Sequence, residues 1–250
     1  MKRKLILLRH GQSQWNLENK FTGWVDVSLT KKGILEAQNA GALILENKID
    51  IDIAYCSYLK RAIDTCKICL KEMRFERVKT NFEWRLNERH YGSLQGLNKS
   101  DTAKKYGEDQ VLKWRRSYDY PPPKMRLNDD RHPANDKLYK NIDPKLLPSS
   151  ESLKDTLRRV EPLLLGEILE KIKNGLNVLV VAHGNSLRAI LKIIKKISDE
   201  EIIKLNIPTG APYIIELDEN LDIKNEKYLG NLSDIAKKTL EVQNQGQIAD

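Results

Sequence analysis

Two of the four histidines in this 250-residue chain share one local pattern, a short aliphatic run, then histidine, then glycine. Arg9-His10-Gly11 follows the run at residues 4–8, and His183-Gly184-Asn185 follows the run at residues 177–182. A lone histidine in such a place reads as an imidazole donating to a backbone carbonyl. A pair at equivalent positions reads differently. A neutral imidazole can attack phosphorus and a cationic one can stabilise a transferring phosphoryl group, so two facing rings can act as nucleophile and electrostatic partner. The glycine after each ring is expected to let a ligand approach the backbone closely. Arg9 adjoins the first histidine, and Arg61 stands where it could join a guanidinium clamp on phosphate. An ion pair between Arg61 and Asp64 is the competing reading. In Trp84-Arg85-Leu86-Asn87-Glu88-Arg89-His90-Tyr91-Gly92 the single carboxylate, Glu88, is either a general acid/base or the partner of Arg85 or Arg89. Arg115-Arg116, beside Trp114, form an anion clamp if they reach the pocket and a solvated helix face if they do not.

These groups need a scaffold that brings strand ends together. Residues 4–8 and 177–182 are aliphatic on both parities, as central parallel strands covered on both faces should be. Residues 53–57 predict a strand feeding a helix over 58–74, whose apolar side carries Ala62, Thr65, Cys66, Cys69 and Met73. Thr30 is placed to cap a helix reaching about residue 46, and further helices are expected at 152–173, kinked at Pro162, and at 186–195. A last short strand is expected at 213–217. Strands alternating with helices predict an α/β fold, a three-layer αβα sandwich with a mainly parallel central sheet. In such sheets ligands bind beyond the carboxyl ends of the strands, where both histidines fall. Residues 121–148 are polar and proline-rich, a functional loop or part of a cap.

Composition removes several classes. At 40% hydrophobic and 31% charged residues the chain is globular, and no apolar run approaches the ~20 residues of a membrane-spanning helix. Its start carries no secretion pattern, and three cysteines, Cys56, Cys66 and Cys69, are too few and odd for a disulfide scaffold, so a cytoplasmic location is expected. Cys66 and Cys69 have redox or metal spacing but fall in the apolar stripe of a helix, which predicts buried thiols. The net charge of +8 attracts anions. It is scattered, and only 6% of residues are aromatic, which argues against nucleic acid. A basic binding protein would leave the paired strand-end histidines unexplained. No P-loop, dinucleotide fingerprint, zinc motif or calcium loop is present.

Taken in order, Arg9-His10-Gly11, Phe21-Thr22-Gly23-Trp24-Val25-Asp26, Leu86-Asn87-Glu88-Arg89-His90-Tyr91-Gly92, Gly96-Leu97-Asn98-Lys99, Trp114-Arg115-Arg116 and His183-Gly184-Asn185 resemble the cofactor-dependent phosphoglycerate mutases of the histidine phosphatase superfamily. The likeness runs from Leu5 to about Gly246. It implies a glycolytic isomerase that interconverts 3-phosphoglycerate and 2-phosphoglycerate through a phosphohistidine, primed by 2,3-bisphosphoglycerate and without a metal. Minor bisphosphoglycerate synthase and phosphatase activities go with that chemistry. By the same resemblance His10 is the nucleophile, Glu88 the proton donor and acceptor, and His183 the second histidine, with Arg9 and Arg61 completing the catalytic set. Ser13, Asn16, Thr22, Gly23, Arg89, Tyr91, Lys99, Arg115, Arg116, Gly184 and Asn185 match positions that hold the substrate's phosphates and carboxylate. The implied protein is a homodimer or homotetramer with neither nucleic-acid nor membrane partners. Its single domain, residues 1–250, carries a cap around 90–150 and a mobile tail around 243–250. Two positions depart from the pattern: Gln12 stands where the family commonly has glutamate, and Asp64 where relatives are more often basic or neutral. Gly23 favours the mutase over synthase relatives, which carry a bulkier residue there.

Overall fold

The computed structural model describes residues 3–245. Its centre is a six-stranded sheet of β1 (Lys4–Arg9), β2 (Ile53–Cys56), β3 (Thr80–Phe82), β4 (Val178–Ala182), β5 (Tyr213–Leu217) and β6 (Ile223–Tyr228), in the order β3-β2-β4-β1-β5-β6. The four strands from β3 to β1 pair in parallel, while β5 and β6 close the other edge antiparallel. The sheet is therefore mainly parallel, as expected, with a two-strand antiparallel margin. That margin includes β6, whose polar sequence IKNEKY hides an edge strand from pattern reading.

The aliphatic runs form strands because each parity has its own layer to fill. Leu5, Leu7, Tyr55, Val178 and Val180 pack with α6 (Leu153–Leu163) and α8 (Gly184–Lys195). Ile6, Leu8, Ala54, Cys56, Leu179 and Val181 pack on the opposite face with α2 (Lys31–Glu46) and α3 (Lys60–Glu72). Each such buried aliphatic side chain contributes about 1.5–3 kcal/mol. Two layers of helix over one sheet give the three-layer sandwich.

Local signals set the helix ends. The Thr30 hydroxyl accepts the Gly33 amide at 3.1 Å to start α2, and Ser152 and Asp155 form a reciprocal capping box at the start of α6. The helix expected over 152–173 is present from Leu153 to Lys173, with its bonding altered in the middle. Pro162 has no amide to donate, and directly after it the bonding widens into a π turn at Leu164–Ile168 before α7 (Leu169–Lys173) resumes. Three shorter helices complete the central part of the chain: α1 (Gln14–Leu17), α4 (Lys99–Tyr106) and α5 (Glu108–Arg116). Residues 121–148 contain only single 3-10 turns, yet Tyr139 and Leu147 pack with Trp24 to make a small apolar centre of their own. A last helix, α9 (Leu232–Asn244), takes in the first two residues of the tail expected to be mobile; residues 246–250 of that tail lie outside the described residues.

Candidate functional site

Register brings the two histidines together. Arg9 pairs with Ala182 across β1 and β4, and the His10 amide donates to the Ala182 carbonyl at 3.0 Å, so the next residue on each strand emerges side by side. The ring centroids of His10 and His183 lie 4.9 Å apart at 57°. Both rings are buried. The nitrogen roles of His10 are fixed by its partners. Nδ1 donates to the Gly11 carbonyl at 2.7 Å, while Nε2 accepts from Arg61 Nε at 3.4 Å. Nε2 therefore holds the lone pair. Burial, then Arg61 and Arg9, hold the His10 pKa well below the usual imidazole range, which keeps the ring neutral and nucleophilic. His183 is depressed in the same way by burial, Arg61 and His10. Its Nε2 meets Ser57 Oγ at 2.7 Å, and its Nδ1 is buried with no hydrogen-bond partner among the described residues.

Of the two glycines expected to let a ligand approach, Gly184 lies on the cavity wall and Gly11 does not. A Cβ on Gly11 would fall 2.2 Å from the Gly33 carbonyl oxygen, so it is the first turn of α2, not a ligand, that occupies the space. A Cβ on Gly184 would lie 3.6 Å from Arg9 Cζ and 3.7 Å from Glu88 Oε2, covering the two groups that face the pocket.

Arg61 reaches the site because α3 begins directly beyond β2. The Gly11 amide donates to Thr65 Oγ1 at 3.1 Å, tying that helix to the His10 turn. The Arg61 guanidinium is buried and donates to the carbonyls of Val25 at 3.1 Å and Gly23 at 2.8 Å. It is not paired with Asp64, whose carboxylate is taken by Lys60 at 3.0 Å, one helical turn back. Burial lowers the Arg61 pKa to about 10, which still leaves it a cation at neutral pH.

Glu88 is likewise free of the ion pairs its neighbours offered. Arg85 binds Glu83 and Glu167, and Arg89 donates to the Arg115 carbonyl at 2.9 Å while stacking on the Tyr91 ring. Glu88 Oε1 accepts three donors: the Arg89 amide at 2.7 Å, the Asn185 amide at 3.2 Å and Asn185 Nδ2 at 2.9 Å. Oε2 is turned toward Gly184 and the cavity.

That cavity is walled by Arg9, His10, Asn16, Thr22, Gly23, Arg61, Glu88, Tyr91, Lys99, Arg115, Arg116, Gly184 and Asn185. His183, Ser13 and Arg89 are not on the wall. His183 stands against His10, Ser13 caps α1 and donates to Asn16 Oδ1 at 2.9 Å, and Arg89 lies behind Tyr91. The remaining wall comes from residues that sequence reasoning did not single out, including Lys20, Arg188, residues 205–207, Val242 and Gln245. The end of α9 reaches the wall because Arg116 donates to the Val242 carbonyl at 3.3 Å and Lys99 Nζ to Gln245 Oε1 at 3.1 Å.

The electrostatic character is one-sided. Lys99 lies well below its ordinary pKa through burial and then Arg115 and Arg9, and Arg115 is lowered to about 10 by burial and Arg116. For the Tyr91 hydroxyl, burial acts upward, but Arg89 and Arg115 outweigh it and leave the group below its usual value. Arg9 Nε and Arg188 Nε are buried donors with no partner among the described residues. Donors without acceptors around a cationic cavity fit a small polyanion, and among the described residues Glu88 is the one carboxylate on its wall, beside the neutral ring of His10. Elsewhere, the cysteines Cys56, Cys66 and Cys69 are free and buried. Among the described residues, no group of three or more His, Cys, Asp or Glu side chains is placed to hold a metal ion, and no helix is long and apolar enough to cross a membrane.

Comparison with known proteins agrees with this geometry. The sequence profile of the histidine phosphatase superfamily (branch 1) matches residues 5–223. A 2,3-bisphosphoglycerate-dependent phosphoglycerate mutase 2 of Bacteroides thetaiotaomicron is 51% identical over 98% of this chain and 99% of its own length. A 2,3-bisphosphoglycerate-dependent phosphoglycerate mutase of Borreliella burgdorferi is 52% identical over the same shares. Among solved structures, a putative alpha-ribazole-5'-P phosphatase from Escherichia coli superposes with a TM-score of 0.66 at 20% identity, over 91% of this chain and 96% of that one. A mycobacterial glucosyl-3-phosphoglycerate phosphatase gives 0.67 at 21% identity over 90% and 96%. At such identities these two likenesses speak for the fold.

Proposed function

The chain belongs to the histidine phosphatase superfamily, and from that premise we propose that it is a glycolytic phosphoglycerate mutase, interconverting 3-phosphoglycerate and 2-phosphoglycerate through a phosphohistidine on His10. The observation that carries the reading is the neutral His10 ring on the wall of a cationic cavity, its Nε2 holding the lone pair beside Arg61 and its centroid 4.9 Å from that of a second histidine. The cavity's unpartnered guanidinium donors fit the priming donor 2,3-bisphosphoglycerate, which supplies the phosphoryl group that charges the enzyme.

Arg9, Lys99, Arg115 and Arg116 would hold the phosphates and the carboxylate, and Arg61 would guide the transferring phosphoryl group onto His10. In charging, a bond forms between Nε2 and phosphorus, the phosphorus–oxygen bond breaks, and Glu88 gives a proton to the departing alkoxide. In transfer, the free hydroxyl of a phosphoglycerate attacks phosphorus, the nitrogen–phosphorus bond returns its electron pair to Nε2, and Glu88 takes the proton. Reversal at the other oxygen completes the isomerisation. His183, whose Nε2 is paired with Ser57 Oγ, would stand beside His10 and stabilise the charge of the transferring phosphoryl group. Preorganised cations and positioning supply most of the rate enhancement in such transfers.

The same reading includes one domain with a cap at 90–150, a homodimer or homotetramer, a cytoplasmic location and no metal, with synthase and phosphatase as minor activities. Gly23 supports mutase over synthase, whose relatives carry a bulkier residue at that position; here Gln95 Oε1 would lie 2.0 Å from a Cβ. The test is exposure to labelled 2,3-bisphosphoglycerate, which should leave an acid-labile, base-stable adduct on wild type and none on His10→Ala. Mutase, synthase and phosphatase turnover are then compared in one preparation. Phosphatase turnover exceeding mutase turnover would overturn the assignment.

A further inference from the structure

We infer that Arg188 is a positioning residue for proton transfer, locking the Asn185 amide so that it presents its NH2 group, never its oxygen, to Glu88. The inference rests on the mutase reading. Arg188 sits in α8, one turn beyond Asn185, and is buried at the cavity wall. It donates through one Nη to Asn185 Oδ1 at 2.9 Å and through the other to the Ile202 carbonyl at 2.6 Å.

Arginine has donors only, so the amide atom facing it must be the oxygen. The amide NH2 then points the other way. There it meets Glu88 Oε1 at 2.9 Å and the Tyr91 hydroxyl at 3.4 Å. Without Arg188 the amide is oriented only by Glu88 and Tyr91, and a protonated Glu88 can accept an amide turned over to offer Oδ1. A donor facing a carboxylate favours its ionised form, whereas an acceptor favours the protonated acid. Arg188 thereby sets which form of Glu88 its nearest side-chain partner stabilises, without touching the carboxylate itself. Its second bond extends the arrangement, because Ile202 opens the segment whose residues 205–207 line the cavity, and Arg9 donates to the Ile207 carbonyl at 2.6 Å.

Other groups act on Glu88 and must stay constant in any test. They are Arg9 from the end of β1, Arg61 from α3, Lys99 from α4, and Arg89 and Tyr91 from its own segment. The Asn185 variants leave these cations in place, so the pH profile of Asn185→Leu separates the amide's effect from theirs.

The experiment follows mutase kcat/KM against pH in wild type, Arg188→Met, Arg188→Lys, Asn185→Leu and the double variant Asn185→Leu/Arg188→Met, with far-UV circular dichroism to confirm folding. Arg188→Met should move the acid limb upward by roughly one pH unit. Arg188→Lys, which keeps a donor for Oδ1, should restore most of that shift. Asn185→Leu should move the limb as Arg188→Met does, and adding Arg188→Met to it should move the limb no further. An unmoved limb in Arg188→Met, or a further shift in the double variant, would overturn the inference, since the latter means that the guanidinium acts directly by charge. Should Arg188→Met fail to fold, Arg188→Lys against Asn185→Leu carries the comparison, and a limb displaced equally in both refutes the lock. Absence of mutase turnover in wild type would instead refute the functional reading.

Discussion

Replacing Glu88 by glutamine isolates its proton from its place in the fold. The carboxylate accepts all three of its hydrogen bonds through Oε1, from the Arg89 amide, the Asn185 amide and Asn185 Nδ2. A glutamine carbonyl oxygen can accept the same three, with its NH2 in place of Oε2 at the cavity, so the segment keeps its shape and loses only a group that can exchange a proton. Positioned acid–base groups are worth about 10²–10⁴-fold in rate, and that is the expected loss in mutase turnover for Glu88→Gln. The loss should depend on the leaving group. An alkoxide departing from a phosphoglycerate needs the proton that Glu88 supplies, whereas the phenolate of p-nitrophenyl phosphate departs without one. Single-turnover phosphorylation of His10 should therefore fall by the full factor with 2,3-bisphosphoglycerate and by less than about tenfold with the aryl ester. The assay is rapid quench with the acid-labile adduct counted on each variant. Equal losses with both donors would refute the reasoning, because Glu88 would then be acting on the phosphoryl group or on the fold rather than on the leaving oxygen.

Three further outcomes follow from the geometry. Gly23→Ala places a Cβ 2.0 Å from Gln95 Oε1 at a φ of +55°, so it should raise KM for phosphoglycerate and lower stability by about 1–3 kcal/mol; steady-state kinetics and urea melts check this. Gly11→Ala drives a methyl to 2.2 Å of the Gly33 carbonyl oxygen, backbone that cannot swing aside, and should cost at least about 3 kcal/mol in the same melts. His90 is held at about 3 by burial and then by His132 and Arg159, against about 6.5 unfolded. Its contribution is complete above the unfolded value and is lost as pH falls toward the folded one. Stability should thus decline below pH ~6.5 with a His90 share of at most about 1.4 kcal/mol per pH unit, and His90→Gln should remove that share from urea midpoints measured between pH ~7 and ~4.

What the sequence revealed was chemistry carried by backbone order. Two histidines after aliphatic runs are legible because strand ends in a parallel sheet are neighbours whenever the strands pair, and β1 does pair with β4. What it concealed were choices between partners at comparable distance along the chain. Asp64 lies three residues from Arg61 and four from Lys60, both workable helical spacings, and only the packing of α3 over the His10 turn turns Arg61 inward and leaves Lys60 for the carboxylate. Ser57 and Arg188 act through single bonds to other side chains, which leave no periodicity behind. A signal for Arg188 does exist: an arginine in a helix buried on nearly every side, Ser186 through Leu191, has to be satisfied by something specific. β6 and α9 were missed because neither buries an apolar face deep enough to write a pattern; α9 has no fully buried residue.

The wall of the cavity also explains why arginine dominates it. Burying cations without anionic partners costs several kcal/mol each, and a lysine can escape that cost by releasing its proton. Lys99 is driven in that direction, held well below its ordinary pKa by burial and Arg115. Arg61 and Arg115 at about 10, and Arg188 at about 9, remain charged at neutral pH however poorly they are solvated. The cavity wall therefore carries an unfavourable electrostatic term that Glu88 and the carbonyls bound to Arg61, Arg116 and Arg188 offset in part and that an incoming polyanion would relieve further. A buried guanidinium donor such as Arg9 Nε is thus set in place by the fold for a doubly charged phosphate ester. Glu88, the one carboxylate on the wall among the described residues, is compatible with such a ligand because its Oε1 accepts three donors from its own chain, and Oε2 would be left for the proton of the proposed reaction.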